Sequence, residues 1–278
     1  MIDILKNNCV DIFSIADHDT ISGVKQLVEL SQVNKMKLIP GIELTSLYAG
    51  MEIHILGYFF NKDDQTYVNN SATSSVLALA FGLVPEEYEQ KIFENLVYKI
   101  EVEHDSHITT GLVGQQYFNR VLTKYGRADL AFTVNTQLDY PGYGYMIEND
   151  ATTIWELWNG NTAEPSMNSH NHVMLLGDFI IWLYEDLAGI KPDKDNPGFK
   201  HILLNPVILE DLDYVKAHHM SPYGMIKSEW RKRDGSLEWD ITIPANTTAT
   251  VYVPGEDAPR EMGSGAYHFS AELEAVNR

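Results

Sequence analysis

YGMIKSEWRKRDGSLEWDITIP, Tyr223 to Pro244, is the stretch whose reading decides the fold of the C-terminal third. Apolar and polar residues alternate on both sides of Asp234-Gly235, the dipeptide most favoured in a two-residue hairpin turn. In EWDITIP the period of two puts Trp239, Ile241 and Ile243 on one face, and Asp240 and Thr242 on the other. That is a sheet with one buried side. Outward from it, LDYVKAHHM (212–220), HILLNPVI (201–208) and TTATVYVP (247–254) are further strand-like runs, the last placing Val251 and Val253 together. Strands with regular turns predict an antiparallel β-sandwich over residues 191–278, with Ile202, Leu204, Val215 and Trp230 also in its core.

Upstream of Pro192 the period is helical. SSVLALAFGLV (74–84) predicts a helix stopping near Gly82. PEEYEQKIFENLVYKIEVE (85–103) predicts a second, with Pro85 at its first position, acids in its first turn, and Ile92, Phe93, Leu96 and Ile100 as its apolar stripe. Residues 111–126, 127–137 and 172–188 predict three more. Helix after helix on short loops predicts an all-α layer over residues 66–190. Residues 1–65 read differently. CVDIFSI (9–15), a helix capped by Thr20 or Ser22, KLIPGIELT (37–45) and MEIHILGYFF (51–60) predict a β-α-β unit with a hairpin-like return.

The formal charge is -19. It disfavours nucleic acid, whose sequence-independent binding relies on Lys and Arg at phosphates, and anionic membrane surfaces. It suits a neutral substrate, and equally a merely soluble surface. Cys9 is the only cysteine, so neither a disulfide framework nor a Cys-rich zinc site can form within the chain. The N-terminus is too charged for a secretory signal, and no apolar run could span a bilayer, which predicts a cytoplasmic protein.

DYPGYGYMIENDATTIWELWNG (139–160) crowds Tyr140, Tyr143, Tyr145, Trp155 and Trp158 around Glu148, Asp150 and Glu156. Sugars have apolar faces and hydroxyl edges, so their sites combine aromatic platforms with carboxylates. An aromatic cluster also suits plain core. A carboxylate between two tryptophans is a sharper signal, because burial against indole raises a carboxyl pKa and can turn one member of a pair into an acid.

FGLVPEE, KIFENLV, TTGLVG, YGRADLAF, YGYMIENDATTIWELWNG, MNSHNH (167–172) and LAGI together resemble the C-terminal half of the α-L-rhamnosidase catalytic domain. PGFKHILLNP, SPYGMIKSEW, TIPANTTATVYVP and GSGAYHF resemble the β-sandwich that follows it in that family. The resemblance implies an (α/α)6-type half barrel and the inverting hydrolysis of terminal α-L-rhamnose, with a rhamnose-containing glycan or glycoside as partner and no cofactor. Inversion needs an acid and a base on opposite faces of the sugar with room for water between. The resemblance implies that Glu156 is the base and that His172, Trp155, Trp158 and Tyr145 line the sugar pocket. It also implies that the general acid belongs to the first half of the barrel, upstream of Ser71, so that the chain alone is inactive.

FSIADHDTISGV, IPGIEL and EIHILGYFF resemble instead the PHP metallophosphoesterases. That resemblance, over residues 1–61, implies a divalent metal (zinc, manganese or iron) held by His18, Glu43 and His54, with Asp17 nearby. It covers only part of that family's ligand set. The expectation is therefore a chimera of two incomplete enzymes, whether by gene fusion, gene decay or misassembly: a PHP-like α/β fragment (1–65), a glycosidase half barrel (66–190) and a β-sandwich (191–278). The alternatives are a metal-dependent phosphoesterase fragment and a carbohydrate-binding or structural module carried by the sandwich.

Overall fold

The computed structural model describes residues 70–164, 166 and 169–276, with side chains to 274, and the backbone alone of the strand positions 12–18, 37–48, 51–58, 60–61 and 66–67. The chain divides into two compact units, Met1–Tyr98 and Lys99–Arg278.

In the first unit, β1 (Ile12–His18) pairs parallel with β2 (Lys37–Tyr48), and β2 pairs antiparallel with β3 (Met51–Tyr58). This is the expected β-β pairing with its hairpin return. The helix expected after Thr20 or Ser22 lies outside the described residues. Two short strands, β4 (Phe60–Asn61) and β5 (Thr66–Tyr67), pair across the polar NKDDQ run. Helix α1 (Ala72–Ala80) starts on Ser71, whose hydroxyl accepts from the Ser74 amide at 3.2 Å. It ends before Gly82, whose φ of +63° a glycine tolerates. Pro85 stands immediately before α2 (Glu86–Tyr98), and Glu86, Glu87 and Glu89 favour the positive end of its dipole. Val76 and Leu79 of α1, and Ile92, Phe93 and Leu96 of α2, are buried.

The second unit opens with a π-turn, Lys99–Glu103, followed by α3 (Leu112–Lys124), α4 (Ala128–Thr136), a short α5 (Tyr143–Glu148) and α6 (Val173–Trp182). A second π-turn, Leu183–Leu187, extends α6. Helix α3 packs on both α4 and α6. Its buried Asn119 accepts from Asn135 Nδ2 at 2.7 Å, and Thr123 accepts from the indole of Trp182 at 2.9 Å. No helix among the described residues is long and apolar enough to cross a membrane.

Two four-stranded sheets follow. One has the order β13-β10-β9-β8, from β8 (Tyr214–Ser221), β9 (Gly224–Arg233), β10 (Ser236–Ile243) and β13 (Gly265–Glu272). The other has the order β12-β11-β7-β6, from β6 (Ile190–Pro192), β7 (His201–Leu204), β11 (Thr248–Val251) and β12 (Arg260–Met262). A short helix, α7 (Leu273–Val276), ends the described chain. Asp234 and Gly235 both have positive φ, +49° and +83°, as the expected tight hairpin requires.

The expectation of a purely antiparallel sandwich is corrected in one place: β7 and β11 run parallel. The chain leaves β7, builds β8, β9 and β10 in the facing sheet, and returns to β11. That excursion is the long crossover a parallel pair requires. Between the sheets, Ile202, Leu204, Ala249 and Val251 meet Ile226, Trp230, Leu237, Trp239, Ile241 and Ile243 in one core. Each large apolar side chain buried there contributes about 1.5–3 kcal/mol relative to exposure.

The same core reaches back into the helical part. Ala188 and Ile190 belong to it. Trp230 donates its indole N–H to the Leu187 carbonyl at 2.8 Å, and Ser228 donates to the Ala188 carbonyl at 2.6 Å. Trp239 in turn donates to the Ser228 hydroxyl at 2.9 Å. Buried indole and hydroxyl groups need such partners, and the carbonyls that end the π-turn provide them.

Candidate functional site

The site is built on two loops and the helices that carry them. Helix α5 sits tightly on the chain before it: a Cβ on Gly144 would lie 2.1 Å from the Gln137 carbonyl oxygen, so only glycine fits. This places the buried ring of Tyr143 edge-on to Trp158, at 5.1 Å, and stacked on Phe179 of α6, at 4.7 Å. The Tyr143 hydroxyl donates to the Leu175 carbonyl at 3.3 Å. Burial pushes the Tyr143 phenol well above its ordinary range. The Asp178 carboxylate adds to that shift and a hydrogen bond with Gln115 opposes it. Trp158 donates its indole N–H to the Thr110 carbonyl at 3.0 Å.

The loop holding Glu156 (residues 151–160) runs beside the loop holding Ser169, His170 and His172, and the backbones zip together. Glu156 donates its amide to the Ser169 carbonyl at 2.8 Å, and His172 donates its amide to the Ile154 carbonyl at 2.8 Å. Thr153 donates its hydroxyl to the His170 carbonyl. The Ser169 amide donates back to Glu156 Oε2 at 3.0 Å. One carboxylate oxygen is thus fixed by a backbone N–H, and the direction of the other follows from it. Glu156 is half-buried in a loop.

Trp155, the residue before it, is buried. Its ring lies against Gly160, where a Cβ would approach to 2.7 Å, and against the imidazole of His170, at 5.9 Å. His170 Nε2 lies 3.2 Å from the Gly160 carbonyl, which can only accept. His172 caps α6, and its Nδ1 is buried without a partner among the described residues.

Of the residues singled out from sequence, Glu156, Trp155, Trp158 and His172 lie on these two zipped loops. Tyr145 joins a different group: its hydroxyl bonds Asn161 at 3.0 Å, and its ring meets Tyr140 edge-on at 5.5 Å. Ser169 and His170 were not singled out, although both lie within MNSHNH. Ser169 acts through its amide, which residue identity does not advertise. The loop entering the aromatic run is tied by His107, whose Nε2 is 2.9 Å from Asp139 Oδ1. That contact raises the imidazole pKa and lowers the carboxyl pKa.

Among the described residues, no group of three or more His, Cys, Asp or Glu is arranged to hold a metal. The positions of His18, Glu43 and His54 are described by backbone only. His18 is the cross-strand partner of Glu43, and His54 is the partner of Thr45, two residues beyond Glu43. By the period of two, all three positions share one face of the sheet.

Comparison with known proteins gives two family matches. The bacterial alpha-L-rhamnosidase 6 hairpin glycosidase domain matches residues 16–187, and the bacterial alpha-L-rhamnosidase C-terminal domain matches residues 189–268. An alpha-L-rhamnosidase of Formosa agariphila is 36% identical over 192 residues, which is 69% of this chain and 20% of that protein. The structure of the alpha-L-rhamnosidase from Dictyoglumus thermophilum superposes with a TM-score of 0.70 at 32% identity, over 77% of this chain and 27% of that one. That of the Streptomyces avermitilis enzyme complexed with L-rhamnose gives 0.67 at 29% identity, over 72% and 21%. The chain therefore spans only 20% to 27% of the length of these relatives.

Proposed function

The chain belongs to the bacterial α-L-rhamnosidase six-hairpin glycosidase family, and from that premise we propose that it is the C-terminal part of an inverting glycoside hydrolase acting on terminal α-L-rhamnose. The observation that carries the reading is Glu156, a carboxylate between Trp155 and Trp158 whose Oε2 is held by the Ser169 amide. Glu156 is the general base: it takes a proton from a water that attacks the anomeric carbon from the face opposite the leaving group. Trp158 banks the apolar side of the sugar, the buried Trp155 backs the loop that carries Glu156, and His172 donates or accepts at a hydroxyl. The helical residues form half of an (α/α)6-type barrel, under the division 1–65, 66–190 and 191–278. The general acid, which protonates the departing oxygen, belongs to the half of the domain that the relatives carry in addition.

The full chain alone is therefore expected to cleave aryl α-L-rhamnosides about 10²–10⁴-fold more slowly than a complete relative, the usual contribution of one general acid. Steady-state release of the aryl group measures this. Turnover at a relative's rate that vanishes in Glu156→Gln would show that another carboxylate of this chain acts as the acid.

A second reading rests on the strand register. His18, Glu43 and His54 share one face of neighbouring strands. Two imidazoles and a carboxylate suit zinc, manganese or iron, which supply a Lewis acid or an activated water when bound. In this reading residues 1–65 are a PHP-type fragment joined to the glycosidase part. With only part of that family's ligand set, binding is expected to be weak. Elemental analysis after dialysis against a chelator tests that. Stoichiometric metal that survives would replace weak binding with a built site.

A further inference from the structure

A general base must keep its carboxylate aimed, because a misplacement of about 1 Å can cost on the order of 100-fold in rate. Glu156 stands in the middle of a loop, and the facing loop ties that loop along its length. Before Glu156 the ties are the Thr153 hydroxyl on the His170 carbonyl and the His172 amide on the Ile154 carbonyl. At Glu156 they are its own amide on the Ser169 carbonyl and the Ser169 amide on Oε2. On the side of the facing loop, each of these partners is main chain, so none depends on which residue stands there.

After Glu156 the tie is of another kind. The chain turns, with the Gly160 amide donating to the Leu157 carbonyl at 3.0 Å. The Gly160 carbonyl then meets Nε2 of the His170 imidazole at 3.2 Å. A carbonyl only accepts, so this contact is a hydrogen bond when the proton sits on Nε2. The same imidazole lies 5.9 Å from the ring of Trp155, tilted by 38°. Trp155 is buried, and a Cβ on Gly160 would come within 2.7 Å of its indole. Imidazole, indole and the Gly160 backbone thus form one wedge, and Glu156 is the residue after Trp155. His170 itself is exposed, so its ring fills no core.

We propose that His170 is a positioning residue for the general base: its Nε2–H and its ring hold Gly160 and Trp155, and through them fix the aim of the Glu156 carboxylate. The inference rests on the glycosidase reading above and adds to it a residue that acts through two others. The hydrogen bond is the part that matters most, because the exposed ring gains little from packing whereas the carbonyl fixes the far end of the loop.

Three variants of the full chain separate donor from ring. His170→Gln puts an amide N–H about where Nε2 stands, His170→Asn is too short to bring one there, and His170→Phe keeps a ring without a donor. Hydrogen exchange at the Glu156 and Ser169 amides should stay near native in His170→Gln. It should quicken on the order of 10-fold in His170→Asn and His170→Phe, the scale of one lost hydrogen bond. An unchanged melt confirms that all three variants fold. Nitrogen chemical shifts of the native imidazole should place the proton on Nε2. In the residual turnover of an aryl α-L-rhamnoside, kcat should fall on the order of 10-fold in the same two variants with KM held within about two-fold, as for a group that aims the base and not the sugar. A proton on Nδ1, an equal response in all three variants, or a loss carried by KM alone overturns the proposal. Exchange that follows the donor, in a native chain without any turnover, leaves the positioning of the carboxylate standing and removes the catalytic reading.

Discussion

Trp239→Asp is expected to abolish the cooperative melt of the sandwich. Trp239 is fully buried, at 0% exposure. It pairs across the sheet with Trp230 on one side and Phe269 on the other, and its ring lies 5.5 Å from that of Phe269. Truncating a core tryptophan costs about 3–5 kcal/mol in lost transfer energy and cavity. Aspartate adds a carboxylate with no cation beside it, which must stay protonated or drag water inward. Ser228 also loses the indole that donates to it. The sum approaches the whole stability of an ordinary domain, about 5–15 kcal/mol. Trp239→Phe keeps the apolar bulk and drops the Nε1 bond, so it should cost only about 1–3 kcal/mol and leave a cooperative transition. Calorimetry on both variants decides the matter. An unchanged melt in Trp239→Asp would mean that the buried face of β10 has been assigned wrongly.

Gly189→Ala is the second large expected effect. Gly189 joins the π-turn to β6 with φ at +73°. A Cβ there would lie 2.2 Å from Pro206 N and 2.3 Å from Asn205 C, both backbone atoms. Neither can move without breaking the hydrogen bond that the Asn205 amide donates to the Gly189 carbonyl at 2.9 Å. The left-handed conformation costs an L-residue about 1–2 kcal/mol, and overpacking adds about 1–3 kcal/mol. For a unit of this size the melt should fall by roughly 5–20 °C, at about 2–4 °C per kcal/mol. Gly235→Ala is the matched control, because its φ is +83° but no atom lies near its missing Cβ. It should show the conformational cost alone. Equal shifts in the two variants would refute the close approach at residues 205–206.

Sequence reading succeeded where a local rule leaves a local mark. The face of β10 follows from a period of two, and the hairpin at Asp234-Gly235 from the residues that tolerate positive φ. Helix limits fall at Pro85, Gly111 and Gly82, which are breakers by their own chemistry, whereas the cap at Ser71 lies three residues before the helical run read from sequence. It failed where the decisive partner is distant or the element too short. The parallel pairing of β7 with β11 joins residues more than forty apart, and nothing local announces it. Helix α5 has six residues, too few to display a helical period. Strands β6 and β12 have three each. At the site, Glu156, the tryptophans and His172 were legible as side chains of a motif. The amide of Ser169 was not, because every residue but proline carries one.

The five tryptophans of the chain are Trp155, Trp158, Trp182, Trp230 and Trp239, so all lie in the unit Lys99–Arg278. Fluorescence excited selectively at indole therefore has no reporter within Met1–Tyr98. Within the second unit it divides by environment. Trp155, Trp158 and Trp182 sit in the helical part, and Trp230 and Trp239 sit between the sheets with their N–H groups bonded. An emission change that survives Trp230→Phe/Trp239→Phe reports the helical part alone. Comparing the native chain with this variant thus separates the emission of the helical part from that of the sandwich.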